Sequence, residues 1–290
     1  MLSVFKRFQT KALTLLSERL TEIRKTNPNQ LAYFTGRDQM QALTGLWATQ
    51  FGTQNWAAHG GFCSVNMAAG GIYTVGGAFW EFGAPDWDLT EMFVLFGVAE
   101  DHDSNPIKIG LGKLKGKGKK VVSVNPVQTG YAAISNDWYS ITPGTDGLLI
   151  LSLIRELMLS GYIDLNYLRR YTNSPWLVIQ NPGKDNDGLF LRDKNGNPQV
   201  IDRSTGKIVS HKTKGISTEM RGEVKLDDGS KAITAFMIMS ETYIDEAYSP
   251  EVITDKVGIS ASRIRKFASD LAEAAFSKEV VIDQPWVDWK

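Results

Sequence analysis

The segment EMFVLFG, from Glu91 to Gly97, decides how this chain of 290 residues folds. Its bulky apolar run is too short for a helix with a buried stripe, so it reads as a strand covered on both faces. After a polar loop, the stretch from Pro106 to Leu114 reads as a helix. KKVVSVNP (Lys119 to Pro126) is a further strand, Trp138 to Pro143 another, and Thr145 to Ser160 a strong helix. Upstream, LAYFTG (Leu31 to Gly36) is a short strand closed by glycine, with Asp38 placed to cap a helix running to about Phe51. Strands alternating with helices in this way predict an α/β fold, a doubly wound and mostly parallel sheet with helices on both faces.

The flanks extend this pattern. Leu13, Leu16, Leu20 and Ile23 recur at three- and four-residue spacing between Phe5 and Lys25, which predicts an amphipathic helix facing a core, ended by Asn27, Pro28 and Asn29. Composition changes after Arg170. From Asn173 to Asp228 the chain is rich in Gly, Asn, Asp and Lys, with turn signals at KNGNP (Lys194 to Pro198) and DDG (Asp227 to Gly229), as in a small hairpin-rich insertion. Helical patterns return at Ile233 to Glu246, at Pro250, and at Ser260 to Phe276, where Ile264, Phe267, Ala268, Leu271 and Ala275 form a stripe. VVIDQPW (Val280 to Trp286) reads as a final strand. The predicted organisation is an α/β part over 1–172, the insertion over 173–232, and C-terminal helices with a terminal strand returning to the neighbouring domain over 233–290.

Composition narrows the function. Lys plus Arg and Asp plus Glu are 32 each, so the net charge is zero and there is no electrostatic footprint for nucleic acid. The single cysteine, Cys63, excludes an intrachain disulfide and any cluster or zinc site built from this chain's thiolates alone. No apolar run approaches the roughly 20 residues that cross a bilayer, and the N-terminus lacks an export signal. The expectation is a cytoplasmic chain with no direct membrane insertion and no nucleic-acid partner.

Four segments carry polar chemistry. AAHGGFCSVNMAAGG (Ala57 to Gly71) sets Cys63 beside paired glycines and ahead of a small-residue helix start, which would lower a thiol's pKa and suit a soft metal. On spacing alone a lone cysteine is more often a small buried hydrophobe, and His59 a structural hydrogen-bonding residue rather than a ligand. The loop from Phe96 to Pro106 holds Gly97, His102, Asp103, Ser104 and Asn105 between a strand and a helix. That is where open α/β sheets bind ligands, although Glu100, Asp101 and Asp103 repel a bare phosphate. The turn from Ser123 to Gly130 offers Asn125, Gln128 and Thr129 to a sugar or phosphate. In PGTDG (Pro143 to Gly147), Gly144 permits close approach, and Thr145 or Asp146 either caps the helix or holds a purine edge. Each loop alone fits helix capping; three at successive strand ends favour a nucleotide-bearing ligand. TGRD (Thr35 to Asp38) replaces the glycine fingerprint of a dinucleotide fold after the first strand, which disfavours an NAD dehydrogenase. The basic run KLKGKGKK (Lys113 to Lys120) reads as a solvated turn, and Trp286 and Trp289 around Asp288 are left without a role.

Taken together, HGGFCSVNM (His59 to Met67), Phe96 and Gly97 with DHDSNP (Asp101 to Pro106), VNP (Val124 to Pro126) and PGTD (Pro143 to Asp146) resemble successive segments of the catalytic subunits of molybdopterin-dependent oxidoreductases of the dimethyl sulfoxide reductase type. RRYT (Arg169 to Thr172) and WLVI (Trp176 to Ile179) are similar to the branch that handles sulfite, polysulfide and thiosulfate. The resemblance implies a molybdenum or tungsten ion held by the dithiolenes of two molybdopterin guanine dinucleotides. It implies Cys63 as protein ligand to the metal and catalytic residue. It implies cofactor binding by Gly97, His102, Asp103 and Asn105, by Asn125, Pro126, Gln128 and Thr129, and by Gly144, Thr145 and Asp146, whose carboxylate suits the N–H donors of guanine. The implied reaction is two-electron oxygen-atom or sulfur transfer on a small inorganic sulfur compound. The implied partners are a membrane anchor subunit together with an iron–sulfur electron-transfer subunit. Members of this branch begin with a four-cysteine iron–sulfur module and close with a further domain. Neither is in these residues, so the cluster is expected only in a missing N-terminal part and the chain is expected to be a fragment, inactive alone. The competing readings are a non-enzymatic remnant and a simple flavodoxin-like nucleotide-binding module.

Overall fold

A computed structural model of the chain describes residues 2–35, 41–61, 64–77, 85–98, 107–128, 130–277 and 279. Contacts divide the chain into two compact units, Met1–Ala84 and Pro85–Lys290.

In the first unit, helix α1 (Leu2–Thr26) leads through a single 3-10 turn into strand β1 (Tyr33–Thr35), helix α2 (Gln41–Phe51), strand β2 (Trp56–Ala58) and helix α3 (Ser64–Val75). Strands β1 and β2 pair in parallel, Tyr33 opposite Trp56 and Thr35 opposite Ala58. The expected strand near Leu31 and the helix starting directly after Cys63 are both present. The apolar stripe of α1 is buried less than its spacing predicts. Leu20 and Ile23 are half-buried, whereas Leu13 and Leu16 are 59% and 56% exposed. Side-chain bonds staple the connecting turns: Thr53 Oγ1 donates to Leu31 O (2.6 Å) and the Gln54 backbone N–H donates to Asn29 Oδ1 (2.8 Å).

The second unit is built on a parallel sheet of β3 (Met92–Phe96), β4 (Lys120–Val124) and β5 (Asp137–Tyr139), with β4 in the middle. Helix α4 (Ile107–Gly116) connects β3 to β4, short helix α5 (Tyr131–Ile134) connects β4 to β5, and α6 (Asp146–Leu159) follows β5. Alternation along β4 sorts its side chains. Val122 and Val124 face a core with Leu149 and Leu153 of α6, Ile253 and Val257 of α9 (Pro250–Val257), and Ile264 and Phe267 of α10 (Ala261–Phe276). Val121 faces the other way, onto Leu111 and Leu114 of α4 and Tyr131 of α5. Helices therefore cover both faces of this sheet. Pro250 starts α9 at its first turn, where the missing N–H costs no bond. The strand expected from Trp138 to Pro143 ends at Tyr139, because the Thr142 N–H donates to Val257 O (2.9 Å) and so ties the chain to α9 instead of the sheet.

Beyond α7 (Leu165–Tyr171) the chain turns antiparallel, where the turn-rich composition predicted hairpins. β6 (Leu177–Gln180), β10 (Lys231–Thr234) and β9 (Glu223–Lys225) form one sheet, and β7 (Gln199–Ile201) with β8 (Ile208–Ser210) forms another. Helix α8 (Ala235–Tyr243) follows β10, so the helical pattern predicted from Ile233 begins two residues late, after Thr234 has paired with Leu177. The described strands are thus divided among separate sheets, two of them parallel. The strand expected near Val280 and the cap expected at Asp38 lie outside the described residues. Among the described residues, no helix is long and apolar enough to cross a membrane.

Candidate functional site

Because β3, β4 and β5 are parallel and in register, Phe96 pairs with Val124 and Val124 with Tyr139, and their carboxyl ends make one edge. In open α/β sheets this is the edge that takes ligands. Three of the sequence-predicted loops leave from it.

After β3, the Gly97 N–H donates to Val124 O (3.0 Å), and its φ of +66° is a conformation that side-chain-bearing residues rarely adopt. A Cβ built there would meet nothing within 4 Å, so the glycine leaves open room against the backbone. Residues 99–106 of this loop, including His102, Asp103 and Asn105, lie outside the described residues, as do Cys63 and Thr129. After β4 comes Asn125, only 2% exposed. Its N–H donates to Tyr139 O (3.1 Å), and its Oδ1 accepts from the Val127 N–H (3.1 Å), which folds the turn that exposes Pro126 and Gln128.

After β5, Gly144 has φ +84° and, like Gly97, open space where a Cβ would stand. Thr145 occupies the N-cap of α6, yet its hydroxyl donates to Thr142 O (2.7 Å) and makes no cap bond. That disposes of the capping role for Thr145 and leaves the first-turn N–H groups, with their positive dipole end, without a side-chain cap. Asp146 opens the helix half-buried, and its carboxylate has no partner among the described residues. The edge therefore combines two glycine cradles, uncapped helix N–H groups and a spare carboxylate acceptor, a donor and acceptor set that fits a nucleotide's phosphates and base.

The opposite edge is held by charge. At the amino ends of β4 and β5, Lys120 bonds Asp137 (2.9 Å) and Asp270 (2.5 Å), and Lys266 bonds the same two carboxylates (3.1 and 2.7 Å). The Lys120 and Lys266 ammonium groups hold the Asp137 carboxyl below the usual carboxylate range. Lys119 pairs with Glu91 (2.5 Å) and Lys117 with Asp88 (2.7 Å), so the basic run expected as a solvated turn is in large part a set of ion pairs.

Two residues bearing on the candidate edge escaped sequence reading. The Trp138 indole Nε1–H donates to Asn125 O (2.7 Å), and Arg263 of α10 lies over the Tyr139 ring at 4.5 Å while Nη2 donates to Trp138 O (2.6 Å). A half-buried tryptophan beside a strand end signals that its N–H needs a partner. Nothing in the sequence names that partner, and nothing ties Arg263 to a strand 125 residues upstream.

No protein-family model matches the chain. The chain is 44% identical over 288 residues to a sulfite dehydrogenase subunit of Allochromatium vinosum, covering 96% of this chain and 30% of that protein. It is 25% identical over 276 residues to a tetrathionate reductase subunit of Archaeoglobus fulgidus, covering 86% of this chain and 23% of the relative. It is 25% identical over 154 residues to the molybdopterin-containing subunit of thiosulfate reductase from Salmonella typhimurium, covering 50% of this chain and 19% of the relative. Among solved structures, acetylene hydratase from Pelobacter acetylenicus has a TM-score of 0.49 at 15% identity, covering 92% of this chain and 28% of that one. The chain spans under a third of the length of these curated relatives. Its relatives are catalytic subunits of molybdopterin oxidoreductases, and the likeness to one of them runs along 96% of this chain.

Proposed function

We propose that these residues are the cofactor-binding centre of a subunit that carries out two-electron redox chemistry on a small inorganic sulfur compound such as sulfite, polysulfide or thiosulfate. The observation that carries the reading is the 44% identity to a sulfite dehydrogenase subunit over almost the whole chain. The carboxyl edge of the parallel sheet supports it chemically, through cradles and hydrogen-bonding groups suited to a nucleotide. In this reading 1–172 binds the cofactor, 173–232 is an insertion, and 233–290 supplies helices α9 and α10 to the β3–β4–β5 sheet and returns to the neighbouring domain.

The group bound is a molybdenum or tungsten bis(molybdopterin guanine dinucleotide), which when present supplies a metal able to exchange two electrons with an oxygen or sulfur atom. Cys63 completes the metal's coordination as a thiolate. Gly97 and Gly144 admit the dinucleotide to the backbone, with His102, Asp103 and Asn105 as further contacts of the first loop. Asn125, Pro126, Gln128 and Thr129 form the middle wall. Thr145 and Asp146 meet the guanine, the carboxylate accepting from its N–H donors. The chain spans 30% of its sulfite dehydrogenase relative; in this reading turnover belongs to a longer assembly in the cytoplasm, partnered by a membrane anchor and an iron–sulfur electron-transfer subunit.

The test is metal and nucleotide analysis of the natively expressed full-length gene product. Two guanine nucleotides released per molybdenum or tungsten atom support the reading, and Cys63→Ser in that protein lowers sulfur-compound turnover while leaving the fold intact. A product without metal or guanine refutes it; unchanged turnover in the variant removes Cys63 from the metal.

A further inference from the structure

We propose that Trp138 is a positioning residue, a clamp that fixes the Asn125 turn so that the Asn125 side-chain amide is presented as a hydrogen-bond donor to a phosphate oxygen of the bound nucleotide. The inference rests on the guanine dinucleotide reading above and goes beyond it by naming the donor atom and the residue that aims it.

Asn125 spends its groups unequally. Its N–H and Oδ1 are used within the fold, the first on Tyr139 O and the second on the Val127 N–H. Its carbonyl accepts the Trp138 indole N–H at 2.7 Å. A carboxamide carries one accepting oxygen and two donating hydrogens, and the Val127 N–H identifies which side is oxygen. What remains is Nδ2, which has no partner among the described residues. Nδ2 is not among the fully buried orphan atoms, so in a residue otherwise 2% exposed this donor opens to the ligand edge of the parallel sheet, where it is suited to an acceptor oxygen and unsuited to a cation.

Trp138 itself cannot drift. It is paired in the sheet opposite Ser123, its carbonyl accepts from Arg263, and the same guanidinium lies on the neighbouring Tyr139 ring. The indole N–H thus reaches Asn125 from a fixed strand, across 13 residues of chain. Phenylalanine at this place would keep much of the apolar area and remove the donor, freeing the Asn125 carbonyl and the turn that follows it.

The experiment uses the 290-residue chain, with guanosine diphosphate as probe, amide hydrogen exchange for the turn and calorimetry for binding. Trp138→Phe should speed exchange at the Val127 amide about tenfold, with Val122 unchanged, and weaken guanosine diphosphate about five- to tenfold, the scale of one lost hydrogen bond. Trp138→His, whose Nε2–H has a similar reach from the backbone, should recover part of both effects. Asn125→Asp should keep the Val127 amide protected, since a carboxylate still accepts its N–H, while abolishing binding through lost donors and added negative charge. Wild-type exchange at Val127 in Trp138→Phe, or a loosened turn with unchanged affinity, overturns the role of Trp138 and leaves the cofactor reading standing. Undiminished binding by Asn125→Asp overturns the donor role. A wild-type chain that takes up no guanosine diphosphate refutes the underlying reading and this inference together.

Discussion

Replacing Phe267 by alanine should cost the second unit about 4 kcal/mol, a large share of the roughly 5–15 kcal/mol that holds an ordinary domain folded. Phe267 is fully buried and stacks on Tyr139 with ring centroids 4.7 Å apart and an interplanar angle of 20°. It joins α10 to β5, the strand that leads into the Gly144 loop. Removing the ring forfeits about 2–3 kcal/mol of apolar burial and about 0.5–1.5 kcal/mol of aromatic pairing, with a further loss for whatever cavity the neighbours fail to fill. The control is Val252→Ala on α9, at a side chain 48% exposed, where about 0.5 kcal/mol or less is expected. Urea unfolding followed by near-ultraviolet circular dichroism reads the difference. With a slope of about 2 kcal/mol per molar, the midpoint should fall by about 2 M at unchanged slope. A loss below about 1.5 kcal/mol, or one equal to that of the control, would refute the claim that α10 packs the sheet through this residue.

Acid should weaken the charge cluster at the amino edge. The Asp137 carboxyl is held low first by the hydrogen bond from Lys120, so its contribution is present above the ordinary carboxylate value of about 4 and is lost as pH falls through the lower folded value. The stability gap between wild type and Asp137→Asn should therefore shrink below about pH 4, and a gap constant down to about pH 3 would contradict it. The Lys266 ammonium is shifted upward, chiefly by the Asp270 bond, so its contribution persists through neutral pH and is lost only on the alkaline side. Gly144→Ala, at φ +84°, should destabilise by about 1 kcal/mol and weaken nucleotide binding, whereas Gly147→Ala inside α6 should stabilise by a similar amount in thermal unfolding. Asp146→Asn should leave the melting temperature unchanged and cut the preference for guanosine over adenosine diphosphate about tenfold; an unaltered preference would take the carboxylate out of the base site.

The second unit was legible where side-chain pattern and local geometry agree. Met92 to Phe96 is an apolar run too short for a helix and Val121 to Val124 a β-branched one broken only by Ser123, and both lie in strands of the parallel sheet. Helix α6 was legible as an unbroken helical stretch, and the α10 stripe showed in the spacing, since its buried face repeats at helical intervals. What escaped depends on contacts remote in sequence. The end of β5 is set by Val257 of α9, α5 is a single turn of four residues, and β2 needs β1 beside it to register as a strand. At the candidate site, loops after strands were visible as glycine and polar residues, and Gly97, Asn125 and Gly144 stand at strand ends or helix starts of the second unit. Their division of labour was hidden, because it turns on which groups are already spent. Thr145 looked like a cap and instead bonds Thr142, while Asn125 is tied by an indole whose role no local pattern marks.

The most direct test maps guanosine diphosphate onto the 290-residue chain by amide exchange at equilibrium. Slowed exchange is expected at Gly97, Val127 and the first turn of α6, with the amides of Lys120 and Asp137 at the far edge unaffected. Protection confined to that far edge, or none anywhere, would contradict the assignment of the carboxyl edge as the nucleotide site.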